Sequence, residues 1–284
     1  VPGVPVARRR LFAGLIDDAA LFPPANAPMA EAVAGHARHR SAPYAGLVGP
    51  FLCPTTRLTE LRETLPADQH LAVSLVVDDG TSVTAEALGA ATADERIALV
   101  AVEASHARLG HDAATLGATV RRMPSVTGYL EVDPTDVGLS LDLVAPSAGW
   151  QAGKYRTGGE TADAFPTEQA LADFLVATVE RGLPFKLTAG LHHVVRRTDP
   201  ETGFEQHGVL NVMVATADAL AREDLDVVVA SLAERDVDRL VERVLSWSEL
   251  DCLAVRGSFR SFGCCAVTEP IDELDALGLS GGVT

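Results

Sequence analysis

Only two lysines occur among the 284 residues, Lys154 in "AGKYRTGG" (152–159) and Lys186 in "PFKLTAG" (184–190). With 23 lysines and arginines in all, the remaining 21 basic residues are arginines. Arginine can replace lysine as a surface charge but not as an amine nucleophile, because its guanidinium stays protonated. Both lysines lie in short apolar stretches rather than on a solvated face. A buried lysine beside a second cation loses its proton more readily, since burial and like charge both disfavour the ammonium form. A neutral amine attacks carbonyl carbons. The competing reading pairs the lysines with Glu131 or Asp17 as salt bridges, or uses them to hold an anion.

The elements that must position these residues alternate between apolar strand and amphipathic helix. Strands are expected at 11–19, 46–53, 71–77, 97–104, 126–132, 151–158, 184–192 and 250–258. Helices are expected at 28–40, 56–65, 112–123 and 167–182, the last with Thr167 as N-cap and Gly182 as C-cap. Alternation argues for a parallel sheet, and eight such units argue for an α/β fold of the (β/α)8 TIM-barrel type. An open doubly wound sheet is the runner-up, but no G-x-G-x-x-G follows the first strand and no phosphate-binding P-loop motif occurs. The chain reads as one barrel domain over 1–284. A helical insert is expected between strands 7 and 8, over 194–248, with helices near 209–222 and 231–247. It would be either a lid or an ordinary extension.

In such a barrel the active site lies at the C-terminal strand ends. The polar residues there are Asp17 and Asp18, Cys53, Asp78 and Asp79, Glu103, Glu131 and Asp133, Lys154 and Arg156. Strand 7 adds Lys186, Thr188, His192 and His193, and strand 8 adds Arg256 and Ser258. Side chains alternate along a strand, so Lys154 and Arg156 share a face, as do Lys186 and Thr188. The candidate catalytic set is Lys154, Lys186, Asp17 and Glu131. The candidate substrate-binding set is Arg156, Thr188, His193, Arg196, Arg256, Ser258, Asp18 and Glu103. Arg156, His193 and Arg196 suit a carboxylate or phosphate.

Four segments resemble class I aldolases of the deoxyribose-phosphate aldolase type. "LIDDAALFPPA" (15–25) is similar to that family's first-strand segment, and "FLCP" (51–54) to its second-strand Cys-Val-Asn-Pro. "GKYRTGG" (153–159) resembles its sixth-strand Lys-Thr-Ser-Thr-Gly. "FKLTAGLHHVVR" (185–196) resembles its seventh-strand Lys-Ala-x-Gly-Gly-x-Arg. The resemblance implies that Lys154 forms a Schiff base, that Lys186 lowers its pKa, and that Asp17 or Glu131 moves protons. It implies a lyase acting on a small anionic carbonyl compound, with no cofactor and no resident metal. Three departures bear on the substrate. Arg156 stands where the family has a small hydroxyl residue, strand 4 is apolar until Glu103, and His192 and His193 replace a glycine-rich phosphate cradle.

Three other readings stay open. A phosphoribosyl-type transferase or isomerase barrel would hold anions with Lys154, Arg156 and Lys186. A metal-dependent lyase or hydrolase would draw on His192, His193, Glu103 and Asp17. A barrel without catalysis would bind a ligand only. Cys264 or Cys265 could serve as a catalytic thiol, but buried cysteine is commoner. His36, His39, His106 and His111 read as solvated helix residues.

A net charge of −16 opposes binding to nucleic acid or to anionic membranes. No apolar run approaches the ~18 residues that span a bilayer. The N-terminal apolar run is broken at once by Asp17 and Asp18, unlike a signal peptide. Four cysteines without a C-x-x-C pair fit a reduced, cytoplasmic protein. A homo-oligomer is compatible with this composition.

Overall fold

The computed structural model describes residues 10–78, 81–109, 112–144 and 148–280. Asp79 and His111 lie outside the described residues. Eight parallel strands close into a barrel: β1 (Ile16–Asp18), β2 (Val48–Pro54), β3 (Leu71–Val76), β4 (Ile97–Ser105), β5 (Thr127–Glu131), β6 (Ala152–Arg156), β7 (Phe185–Thr188) and, after the two-residue strands β8 (Arg197–Thr198) and β9 (Glu205–Gln206), β10 (Phe259–Cys264). The order around the barrel is β1-β10-β7-β6-β5-β4-β3-β2, and β1 pairs with both β10 and β2 to close it. The expected (β/α)8 barrel is therefore present.

The outer ring contains α1 (Met29–Ser41), α2 (Leu58–Thr64), α3 (Thr81–Ala93), α4 (His106–Leu109), α5 (Asp112–Val120), α6 (Val137–Asp142) and α7 (Glu168–Glu180). Thr167 caps α7, its side chain accepting from the Ala170 N–H, and Gly182 follows the helix with φ +62°. The outward residues of the sheet pack on this ring. Tyr155 stacks on Phe174 of α7, and Phe174 meets Phe185 edge-on. Phe185 in turn stacks on Phe259 at 5.3 Å between ring centroids. These aromatic contacts bind β6, β7 and β10 to α7.

Between β7 and β10 the chain makes the antiparallel β8–β9 hairpin and then α8 (Val209–Ala221), α9 (Leu225–Ala233), α10 (Val237–Ser246) and α11 (Glu249–Ser258). The last helix, α12 (Thr268–Ala276), follows β10. Helix α8 is buried on nearly every face. It is pinned through Asn211, whose amide donates to the carbonyls of Ser231 and Glu234, and through Asp218, which pairs with Arg243 and Ser231. The helix expected at 231–247 is in fact the end of α9 and all of α10. The chain breaks at 234–236, where Asp236 caps α10 by accepting from the Asp238 and Arg239 N–H groups.

Two strand expectations are corrected. The first strand is only Ile16–Asp18, because residues 10–12 are helical and Gly14 turns the chain at φ +56°. The expected eighth strand, 250–258, is helix α11. Ser248 and Asp251 form a capping box at its start, and Cys252 and Val255 face the core at helical spacing. The true strand is the next segment, Phe259–Cys264, whose Arg260 and Ser261 hide its strand character from a search for apolar runs. No described helix is long and apolar enough to cross a membrane.

The corrected register has a direct consequence. Leu250 is 76% exposed on α11, whereas Phe259 is fully buried on β10. Phe259→Ala is expected to destabilise the fold by about 3–5 kcal/mol. Leu250→Ala should change it by less than about 0.5 kcal/mol. Chemical denaturation of the two variants measures both, and equal losses would favour a strand at 250–258.

Candidate active site

Strand register aligns the polar residues before any side chain is considered. Ser261 on β10 is level with Lys186 on β7, Lys186 with Lys154 on β6, and Lys154 with Glu131 on β5. Four neighbouring strands thus present one polar row to the barrel interior. Asp17 enters from β1, Glu103 from β4 and Ser74 from β3.

Lys186 is 1% exposed, and its Nζ donates to Asp17 Oδ2 and Glu103 Oε1, both at 2.6 Å. Ser261 donates to Asp17 Oδ2 at 2.8 Å, and Ser74 to Glu103 Oε1 at 2.7 Å. The Tyr129 ring lies 5.3 Å from Lys186 Nζ, close enough for a cation–π contact. Lys154 is held less tightly. Its Nζ is 3.0 Å from Glu103 Oε2 and 3.2 Å from Glu131 Oε2. Glu103 Oε2 is in ion-pair range of Lys154 but has no hydrogen-bond partner. Above this layer Arg156, with its side chain 49% exposed, reaches Glu131 at 3.4 Å. Three carboxylates thus face three cations, and their formal charges cancel.

The proton affinities follow from this arrangement. Burial alone would lower Lys186, but Asp17 and Glu103 outweigh it, so its pKa rises above the ordinary lysine value and it stays an ammonium. Burial alone would raise Glu103, but Lys186 and Lys154 bring it down to about 2. Glu131 is also lowered, because Lys154 and Arg156 outweigh its burial. Asp17 is raised, by burial first and then by the charge of Glu103, against the pull of Lys186. It is the member of the set that most readily takes a proton. Its Oδ1 has no hydrogen-bond partner and faces Gly49, where a Cβ would overlap it. Burial pushes the Tyr129 hydroxyl up to about 12.

The structure therefore brings Lys154, Lys186, Asp17, Glu131 and Glu103 together, with Arg156 at their edge. Glu103, expected only as a substrate-binding residue at the end of an apolar strand, is the centre of the cluster. The two lysines are level with each other on adjacent strands, and Glu103 contacts both. Thr188 lies one step above Lys186 on the same face, half-buried and level with Arg156 and Gly263. Three contributors escaped sequence reasoning. Ser74 and Tyr129 are polar side chains inside apolar strands, a signal that was available. Ser261 sits on the strand that was misplaced.

Other expected site residues are engaged elsewhere. Asp18 points outward, where its carboxylate pairs with His36 of α1 at 3.0 Å and accepts from the Ala20 N–H. His36 is accordingly buried rather than solvated. Arg256 and Ser258 are corrected with strand 8. Ser258 is the last residue of α11, and Arg256 donates to the carbonyls of Phe259, Arg260 and Ala13 at the N-terminal end of β10, away from the mouth. Arg196 is 7% exposed and pairs with Glu168 at 2.7 Å and Glu205 at 2.9 Å. It fastens the β8–β9 hairpin to the start of α7. His193 Nδ1 pairs with Glu273 at 2.6 Å.

The set Asp17, Glu103, His192 and His193 does not converge, since Lys186 takes the two carboxylates and α12 takes the two histidines. Among the described residues no group of three or more His, Cys, Asp or Glu is arranged to hold a metal ion. The glycine at 190 serves close packing. Its φ is +75°, and a Cβ there would overlap the Thr157 carbonyl of the neighbouring loop. Cys53, at the end of β2, is buried, which pushes its thiol up to about 12.

No family model matches this chain, and no curated protein is significantly similar to it.

Glu103 makes stability depend on pH in a defined window. Its folded pKa, about 2, lies below its ordinary value of 4.5, so its contribution is full above 4.5 and is lost as the pH falls through about 2. Glu103→Gln should therefore be less stable than the parent at neutral pH, and the gap should narrow as the pH drops from 5 toward 2. Denaturation midpoints across that range test this, and a gap independent of pH would contradict it.

Proposed function

We propose that the barrel is a lysine-imine enzyme of the lyase class that acts on a small anionic carbonyl compound, with Lys154 as the nucleophile. The observation that carries this reading is the unequal treatment of the two amines. Lys186 is locked as an ammonium by two short hydrogen bonds. Lys154 has only longer ion-pair contacts and lies next to the partly exposed pair Glu131 and Arg156 at the mouth.

In this reading Lys154 passes a proton to Glu131, whose side chain is 16% exposed and whose Oε2 is 3.2 Å away. The amine then forms a C–N bond to the substrate carbonyl. Protons returned through Glu131 let the carbonyl oxygen leave as water, giving an iminium. That iminium accepts the electron pair of the Cα–Cβ bond as it breaks, while the β-hydroxyl gives its proton to a carboxylate and leaves as a carbonyl fragment; the resulting enamine takes a proton at Cα to become an iminium again, and its hydrolysis restores the amine. Lys186 does not act as a nucleophile. As a fixed positive charge it keeps Glu103 ionised, and the pair supplies a stable field beneath Lys154. Asp17, the most easily protonated carboxylate, exchanges protons with the interior. Arg156 is the cation best placed to hold the substrate's carboxylate or phosphate.

An anion-holding role for both lysines is less well supported, because each amine already has two carboxylate partners, which an incoming phosphate would have to displace.

Reductive trapping tests the proposal. Incubation with small aldehydes, ketones and keto acids plus a mild hydride donor should place a secondary amine on Lys154 and none on Lys186, read by peptide mass spectrometry. The adduct should be absent in Lys154→Met and should form about 10²–10⁴ times more slowly in Glu131→Gln. Failure to trap any carbonyl on either lysine would leave the cluster as a buried ion-pair core and sink the imine reading.

A further inference from the structure

A second group of reactive side chains lies at the same end of the barrel, outside the lysine cluster. Strand β10 ends at Cys264, and Cys265 follows it, half-buried. The Cys265 Sγ is 3.8 Å from His192 Nε2. The other ring nitrogen of His192, Nδ1, is 2.8 Å from Glu269 Oε2 in the first turn of α12. Cys264 Sγ lies 3.8 Å from that same Nδ1 and is buried, whereas Cys265 reaches solvent. No disulfide joins any of the four cysteines, Cys53, Cys252, Cys264 and Cys265.

We propose that Cys265, His192 and Glu269 form a nucleophile–base–orienting acid set, with the Cys265 thiol accepting acyl groups from activated esters or thioesters at the barrel mouth. The geometry carries the proposal. A histidine that only braced a loop would direct its outer nitrogen to a carbonyl or to water. His193 shows the bracing arrangement: Glu273 takes its Nδ1 at 2.6 Å and also the Val194 N–H at 2.7 Å. His192 instead has a carboxylate on one nitrogen and a thiol on the other, the relation that activates a sulfur nucleophile. The groups facing His192 are Glu269 from α12 and Cys264 and Cys265 from the end of β10. The two sulfurs, against the effect of burial, push its pKa up to about 11.

The step balances without an oxidant or a metal. His192 Nε2 takes the Cys265 proton, and the thiolate forms a C–S bond to the acyl carbon. The C–O or C–S bond to the leaving group breaks, and the leaving group departs with the proton from His192. Water, deprotonated by the same nitrogen, then cleaves the thioester and regenerates the thiol. The proposal does not depend on the imine reading, because the two adducts fall on different peptides.

The test uses the full chain with p-nitrophenyl acetate. Expected is a burst of one p-nitrophenolate per chain, with the acetyl group mapped to Cys265. The burst should vanish in Cys265→Ser and slow by about 10²-fold or more in His192→Gln. An acetyl group found elsewhere, or acylation of Cys265 at the same rate in His192→Gln, would overturn the proposal. Should the histidine variant fail to fold, the parent protein alone decides. Alkylation of the parent protein with iodoacetamide, mapped to Cys265 by peptide mass spectrometry, should abolish the burst, whereas a burst that survives full alkylation of Cys265 would overturn the proposal.

Discussion

One carboxylate organises the barrel interior. Glu103 is fully buried, contacts both lysines of the chain, and takes a further hydrogen bond from Ser74. Two ammonium groups could not occupy neighbouring positions on β6 and β7 without it, since removing one partner from a buried ion pair typically costs about 3–5 kcal/mol. Asp17 and Glu131 complete the neutralisation from either side, so charge balance, not an apolar plug, fills this layer of the barrel. A TIM barrel normally fills such a layer with branched apolar side chains. Replacing them by an ion-pair row gives up packing that an apolar layer would supply, and such rows are expected where chemistry is done.

The two lysines, chemically identical, are made different by their neighbours. Lys186 is enclosed by Glu103, the serine-bonded Asp17 and the Tyr129 ring, and is fixed as a charge. Lys154 lies one strand nearer to Glu131 and Arg156, where the barrel opens. The difference between the two environments arises from strand order alone. The register places the lysines level, and β5 rather than β10 supplies the neighbour of the second one.

Much of this was legible in the sequence. Alternating apolar strands and amphipathic helices gave the barrel, and the scarcity of lysine pointed to two of its strand ends. What failed did so for identifiable reasons. "LDCLAVRGS" is apolar enough to pass for a strand, and only the Ser248–Asp251 capping box marks it as a helix. The real strand, "FRSFGC", carries Arg260 and Ser261, and an interior built on ion pairs tolerates such polar residues. That misplacement took Arg256 and Ser258 into the expected site and kept Ser261 out of it. Asp17 and Asp18 illustrate a second limit. Adjacent strand residues face opposite sides, but the sequence does not say which faces inward, and His36 on α1 decides it by claiming Asp18. The central role of Glu103 was hidden for a third reason. Its partners come from β3, β6 and β7, and no local pattern records contacts across a barrel.

The clamp made by α12 has a consequence for motion. Glu269 and Glu273, one helical turn apart, hold His192 and His193, and Glu273, by accepting from the Val194 N–H, also holds the start of the segment that leads into the β8–β9 hairpin. The loop after β7 therefore borrows its order from a nine-residue helix on the far side of β10. Helices of that length owe their stability to tertiary packing rather than to their own hydrogen bonds. Transient detachment of α12 would free both histidines in one event. The barrel interior would stay shut around its ion pairs, while the rim above it opened and closed as a separate cooperative unit.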